Sequence, residues 1–212
     1  LDAWRWPDAD WFDYSIPAAS VAAWQEKAVV AYDMGILFLY GMGIRGMEAI
    51  MLDMAGDPPM AHAILTRIAD YNWERSRRFL HANRGVIDIL GIGDDVAGQA
   101  GMVISPDMWR EFLRPHVQRL VDLCHEFSVV PYYHGCGGFR LLYADFIEMG
   151  IKCTGKLQTE AMGNDLCGIK EEFGEDLCLW GGIDAQHATI EGTPDQVRAH
   201  VRQVLDIGSC NS

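Results

Sequence analysis

The sequence predicts an α/β protein built from parallel strand–helix units, and three observations lead there. From about residue 85 onward, apolar runs of strand length alternate with helical patterns at intervals of twenty to forty residues. Several of those runs are uninterrupted by polar residues, as expected of strands covered by helices on both faces. From residue 85 onward no glycine-rich nucleotide fingerprint of the proper form follows a strand: HGCGGFR lacks G-x-G-x-x-G, and G-x-x-x-x-G-K-[ST] does not occur. An open doubly wound sheet would need no further strands. The missing fingerprint weighs toward the alternative, a (β/α)8 TIM barrel, of which the five readable strands would be an incomplete part. Residues 1–212 are expected to form a single partial domain.

The elements follow in order. IPAASVAAWQEKAVVAYDMG reads as a helix ending near Gly35, and the apolar run Ile36 to Tyr40 reads as a strand. RGMEAIMLDMAG gives a short helix. After Pro58 and Pro59 a longer one, Met60 to His81, carries Ile64, Ile68, Tyr71, Arg75 and Leu80 near helical spacing. Val86 to Ile92 returns to strand character between glycines. Ser105, Pro106 and Asp107 mark the start of the next helix, through capping, a fixed φ and a charge suited to the positive helix end. Pro115 should kink or divide it. SVVPYYHGC, KCTGKLQ and LCLWGGID then read as strands, separated by the helices FRLLYADFIEMG and DLCGIKEEFG. The last helix opens on a capping box formed by Thr193 and Gln196, with Val197, Val201, Val204 and Leu205 along one face.

Composition narrows the class of function. With 17 basic against 30 acidic residues the net charge is −13, which excludes general attraction to nucleic acid or to an anionic membrane. No apolar run approaches the ~18 residues of a membrane span, and LDAWRWPDADWFDYS has no signal-peptide character. A cytoplasmic enzyme is expected. The six cysteines are scattered with no C-x-x-C pair and read as reduced thiols. A start on Leu and an end directly after a helical pattern point to a fragment of a longer chain.

The chemistry concentrates after the strands. In YYHGCGGFR the alternation of an extended chain puts Tyr132, His134 and Cys136 on one face if the strand reaches residue 136. Imidazole and thiolate are a natural pair for Zn2+, which in catalytic sites takes three protein ligands and keeps a fourth position open. Two plainer readings compete: a packed thiol beside a polar histidine, or an anion held by the backbone amides around Gly137 and Gly138. GDDVAGQ follows an earlier strand with Asp94, Asp95 and Gln99; adjacent carboxylates on an extended chain face apart, so one enters the site and the other caps or orients the loop. Gln158 and Glu160 follow a third strand, and Gly182 and Asp184 a fourth. The tryptophans at 4, 6, 11 and 24 and the helical histidines 116, 125, 187 and 200 are assigned no chemistry.

The run from GDDVAGQAGMVISPDMW through YYHGCGGFRLLYADFIEMG and LQTEAMGNDLCGIKEEFGEDLCLWGGIDAQ to EGTPDQVRAHVRQVLDIG resembles the uroporphyrinogen decarboxylase superfamily. The likeness is strongest over residues 85 to 208, and WPDADWFDYS and RGMEAIMLDM extend it. What it implies is a (β/α)8 barrel with its active site at the C-terminal strand ends. The zinc-dependent methyltransferase branch, which moves a methyl group from a corrinoid to a thiol, uses an H-x-C pair and a later cysteine as zinc ligands. His134 and Cys136 stand at that pair, whereas the third ligand would lie past the end of this chain, with Cys210 slightly too early for it. The implied cofactor is one Zn2+, with a corrinoid as methyl-donating substrate, carried on a partner corrinoid protein, and a small thiol as acceptor; a homodimer is a further implied assembly. Asp94, Asp95, Gln99, Gln158 and Gly182 are the expected substrate contacts. The alternatives are decarboxylation in porphyrin biosynthesis, whose catalytic aspartate and arginine motif would lie upstream of this chain, and a non-catalytic barrel subunit.

Overall fold

A computed structural model describes residues 4–209 apart from residues 17, 23 and 25; Cys210 lies outside the described residues. Strands β1 (Val30–Met34), β2 (Ile89–Gly93), β5 (Val130–His134), β6 (Cys153–Leu157) and β7 (Cys178–Gly181) form one sheet in that order. They run parallel with helices between them, the arrangement of an incomplete (β/α)8 barrel. A two-stranded antiparallel hairpin, β3 (Ala97–Gly98) and β4 (Gly101–Met102), is inserted after β2. The helices are α1 (Ala18–Ala22), α2 (Phe38–Arg45), α3 (Met47–Gly56), α4 (Pro58–Ala82), α5 (Pro106–Phe112), α6 (Arg114–Glu126), α7 (Tyr143–Met149), α8 (Leu166–Phe173), α9 (Ala188–Glu191) and α10 (Pro194–Gly208). Among the described residues no helix is long and apolar enough to cross a membrane.

The chain divides into two compact units, one of residues 1–94 with 107–132 and one of residues 95–106 with 133–212. In the first, α4 begins on Pro58 with the Asp57 side chain accepting from the Met60 amide, and buries Ile64, Leu65, Ile68 and Leu80. Pro115 divides the next helix as its chemistry requires, α5 ending at Phe112 and α6 starting at Arg114. In the second unit the core is aromatic. Tyr133 lies with its ring 4.2 Å from that of Phe146, and Tyr143 meets Phe173 edge to face at 5.5 Å, an arrangement favoured by the ring quadrupoles. The Thr193–Gln196 capping box of α10 forms with both reciprocal bonds.

Residues 29–45 depart from the sequence expectation. The helix read up to Gly35 gives way to strand β1 over Val30–Met34, and the strand read over Ile36–Tyr40 becomes the start of helix α2. Two tertiary interactions override the local pattern. Val30 and Ala31 pair in parallel register with Ile89 and Leu90, so the β-branched and aromatic content of VVAY is used in a sheet. Asp94, 4% exposed at the end of β2, accepts hydrogen bonds from the amides of Leu37 at 2.8 Å, Phe38, and Leu39 at 2.9 Å. These are donors that a helix start leaves without intrahelical partners. Asn72 of α4 donates to the Ile36 carbonyl at 2.8 Å and fixes the same turn from the other side. GMGIRG, residues 41–46, has the literal spacing G-x-G-x-x-G, but it lies in α2 and its final turn instead of at a strand-to-helix junction, so it is no phosphate loop.

Removing the Asp94 carboxylate leaves three helix-start amides without their acceptor. Asp94→Ala should therefore cost roughly 2–4 kcal/mol of folding free energy, read as a lower urea midpoint at unchanged slope. On α4, Glu74 is gripped by Arg77 at 2.8 Å and Arg78 at 2.7 Å, and these hydrogen bonds hold its carboxyl at about 2, below the usual 4.5. A depressed carboxyl stabilises the folded state above its unfolded pKa and loses that contribution as pH falls. Acid titration of the unfolding midpoint should show a component fading between pH 4.5 and about 2 that Glu74→Gln removes.

Candidate metal centre

Three loops of the second unit carry the residues of interest: 95–101 after β2, 135–138 after β5 and 158–164 after β6. Strand β5 ends at His134, two residues short of Cys136. Cys136 nevertheless stays with His134. One donor atom from each of Asp95, His134 and Cys136 lies within 4.8 Å of the other two, and all three residues are partly buried. The neighbouring carboxylates thus part company, Asp94 capping α2 and Asp95 joining the histidine and the thiol.

Asp95 Oδ1 also accepts from the Cys136 amide at 2.9 Å, tying the thiol-bearing residue to the β2 loop. Burial pushes the Cys136 thiol above its ordinary 9.0, and the Asp95 charge and hydrogen bond add to the shift, with Lys156 opposing it. A cation among these groups would reverse that balance, since it favours both carboxylate and thiolate.

The amides of the glycine turn itself are not available to an anion. The Cys136 amide is used by Asp95, that of Gly137 donates to Gln158 Oε1 at 2.9 Å, and that of Gly138 to the Gly98 carbonyl at 3.0 Å. None is left pointing at a ligand. The glycines serve close approach instead. Gly137 has φ +82°, and a Cβ there would stand 2.5 Å from the Gly98 carbonyl oxygen; one on Gly138 would stand 2.3 Å from the Met162 carbonyl oxygen.

Gln99 donates from Nε2 to Gln158 Oε1 at 2.7 Å, so both predicted glutamines belong to the framework around Cys136. Gly182, at φ +87°, has its amide on the Leu157 carbonyl at 2.8 Å, a backbone role in the turn after β7. Asp184 accepts from the amides of Gln186, His187 and Ala188 and is held at about 2; it organises the turn into α9. Asp94, expected among the substrate contacts, accepts from three amides at the start of α2. Sequence reading missed Asn164. It is 1% exposed, and its Nδ2 donates to the carbonyls of Gly137 at 3.0 Å and Gln158 at 2.9 Å.

The model of the family described as uroporphyrinogen decarboxylase (URO-D) matches residues 36–211. The chain belongs to that family. Within this URO-D chain, 162 residues are 27% identical to the methylated-thiol--coenzyme M methyltransferase of Methanosarcina mazei. The match covers 76% of this chain and 41% of the relative, so the chain spans about two fifths of that protein's length.

The URO-D chain's glycines offer a direct check on the loop packing. Gly137→Ala combines positive φ with a backbone clash and should cost at least ~2 kcal/mol. Gly85→Ala, at φ +76° with open space around it, should cost only ~1 kcal/mol. Urea unfolding of the two variants side by side tests the difference.

Proposed function

We propose that this chain is part of a methyltransferase that transfers a methyl group to a thiol, with a zinc ion held by Asp95, His134 and Cys136. The observation that carries the reading is the convergence of those three donors from two separate loops. The set fits zinc: carboxylate oxygen, imidazole nitrogen and thiolate sulfur are its ordinary protein ligands, and three of them leave a position open for substrate. Tetrahedral coordination needs donor separations of ~3.5 Å, within reach of small side-chain rotations from the observed cluster. The name of the Methanosarcina relative, which pairs a methylated thiol with coenzyme M, supports thiol methyl chemistry. A corrinoid is the methyl donor that the family resemblance favours.

Bound zinc would supply Lewis acidity, lowering the pKa of an acceptor thiol from about 8.5 so that thiolate is present at neutral pH. The chain's own residues do the rest. Asp95 fixes the Cys136 backbone through its amide and presents a carboxylate to the same space. The pair Gln99 and Gln158 closes the loops behind it.

Metal analysis of the whole protein should find about one zinc per chain, lost in Cys136→Ala and weakened at least ~10-fold in Asp95→Ala. Methylcobalamin and coenzyme M are the assay pair, with uroporphyrinogen as the competing substrate. Zinc-dependent thioether formation supports the reading. Zinc-independent loss of carboxyl groups from uroporphyrinogen would replace it with decarboxylation.

A further inference from the structure

We propose that Asn164, together with Gln158, is a positioning residue for Cys136: the two amide side chains clamp the Gly137 peptide groups and so fix where the thiol is presented. The inference rests on the zinc reading for its purpose, but its geometry is independent of any metal. Gln158 Oε1 takes the Gly137 amide at 2.9 Å, and Asn164 Nδ2 takes the Gly137 carbonyl at 3.0 Å. The same Nδ2 holds the Gln158 carbonyl at 2.9 Å, so the two clamps are fastened to each other. With the Cys136 amide on Asp95 and the Gly138 amide on Gly98, every amide from 136 to 138 is fixed.

The choice of asparagine is informative. Asn164 is buried, and among the described residues its Oδ1 has no hydrogen-bond partner, a cost that a purely structural position would shed by using another residue. Only its donor end is used, and both bonds from that end run to the loops around the thiol. Buried polar groups kept at a net cost are expected where a site needs them. Gln158 is the converse case, since both of its side-chain bonds enter through the acceptor Oε1.

This asymmetry gives a test that bulk destabilisation cannot mimic. Gln158→Glu keeps an acceptor oxygen in place and should retain zinc affinity within about threefold, whereas Gln158→Leu and Asn164→Ala should lose about 10-fold or more, the usual effect of removing a group that orients a ligand. Asn164→Asp, which turns an oxygen toward two carbonyls, should be at least as damaging as Asn164→Ala. Affinity is read on the whole protein by competition with a chromophoric chelator, alongside the thiolate–cobalt charge-transfer band after Co2+ substitution. The rate of iodoacetamide alkylation at Cys136 in metal-free protein, followed to its high-pH plateau where the thiol is fully ionised in every variant and mapped by mass spectrometry, reports thiol placement without metal. Changed Cys136 alkylation in Asn164→Ala and Gln158→Leu, with Gln158→Glu like wild type, supports the inference even if wild type binds no zinc, an outcome that would sink the zinc reading alone. Unchanged alkylation and affinity in folded Asn164→Ala, or equal loss in Gln158→Glu and Gln158→Leu, overturns it.

Discussion

The close approach of backbone to backbone at Gly98, Gly137, Gly138 and Met162 is the constraint on which the second unit's site depends. A Cβ at residue 137 or 138 would stand 2.5 or 2.3 Å from a carbonyl oxygen of the neighbouring loop, so only glycine lets the three loops after β2, β5 and β6 meet. Once they meet, their amides and carbonyls lie within hydrogen-bonding range and must find partners. The bonds between Gly138 and Gly98 and between Met162 and Gln99 are the result. Placing Asp95 beside His134 and Cys136 follows from that packing, because Asp95 enters on one of the loops it joins.

The adjacent aspartates show how one strand end serves two tasks. Asp94 accepts from the start of α2 within the first unit, while Asp95 accepts from the Cys136 amide within the second. Alternation along an extended chain sends successive side chains opposite ways. A single Asp-Asp pair therefore anchors the element before it and furnishes the site after it. Exchanging either carboxylate for a neutral group would disturb different parts of the molecule: a helix start in one case, the thiol's surroundings in the other.

Most of the fold was legible because its signals are local. From residue 85 onward the strands and helices carry apolar runs, caps and prolines that agree with one another, and the Thr193 capping box and the break at Pro115 appear where those residues require. Residues 29–45 were illegible for a physical reason. Whether AVVAYD is helix or strand is decided by pairing with β2, and whether ILFLY is strand or helix by a carboxylate more than fifty residues away in sequence. The cluster was legible in part because it lies on strand ends: His134 and Cys136 stand out as a ligand pair by residue type and position, whereas Asp95 reads, like Asp94 beside it, as a substrate contact, and only the fold brings it to the pair. Asn164 did not stand out, since an asparagine in the turn sequence MGND reads as ordinary turn chemistry. Its burial and its two carbonyl partners exist only once the loops have packed.

The same packing argues about how such a site can work. Cys136 is on a short loop past the end of β5, and loop residues by themselves hold a side chain loosely. Ligand placement to within about half an ångström calls for a support built from other elements. Here that support comes from Asp95 on one loop and from Gln158 and Asn164 on another, all bonded to backbone at or next to the thiol. A backbone held at 136 through 138 leaves the Cys136 side chain little to adjust besides its own torsion. On the proposed zinc reading, reactivity at this sulfur would then be governed by what enters the space beside Asp95 and His134.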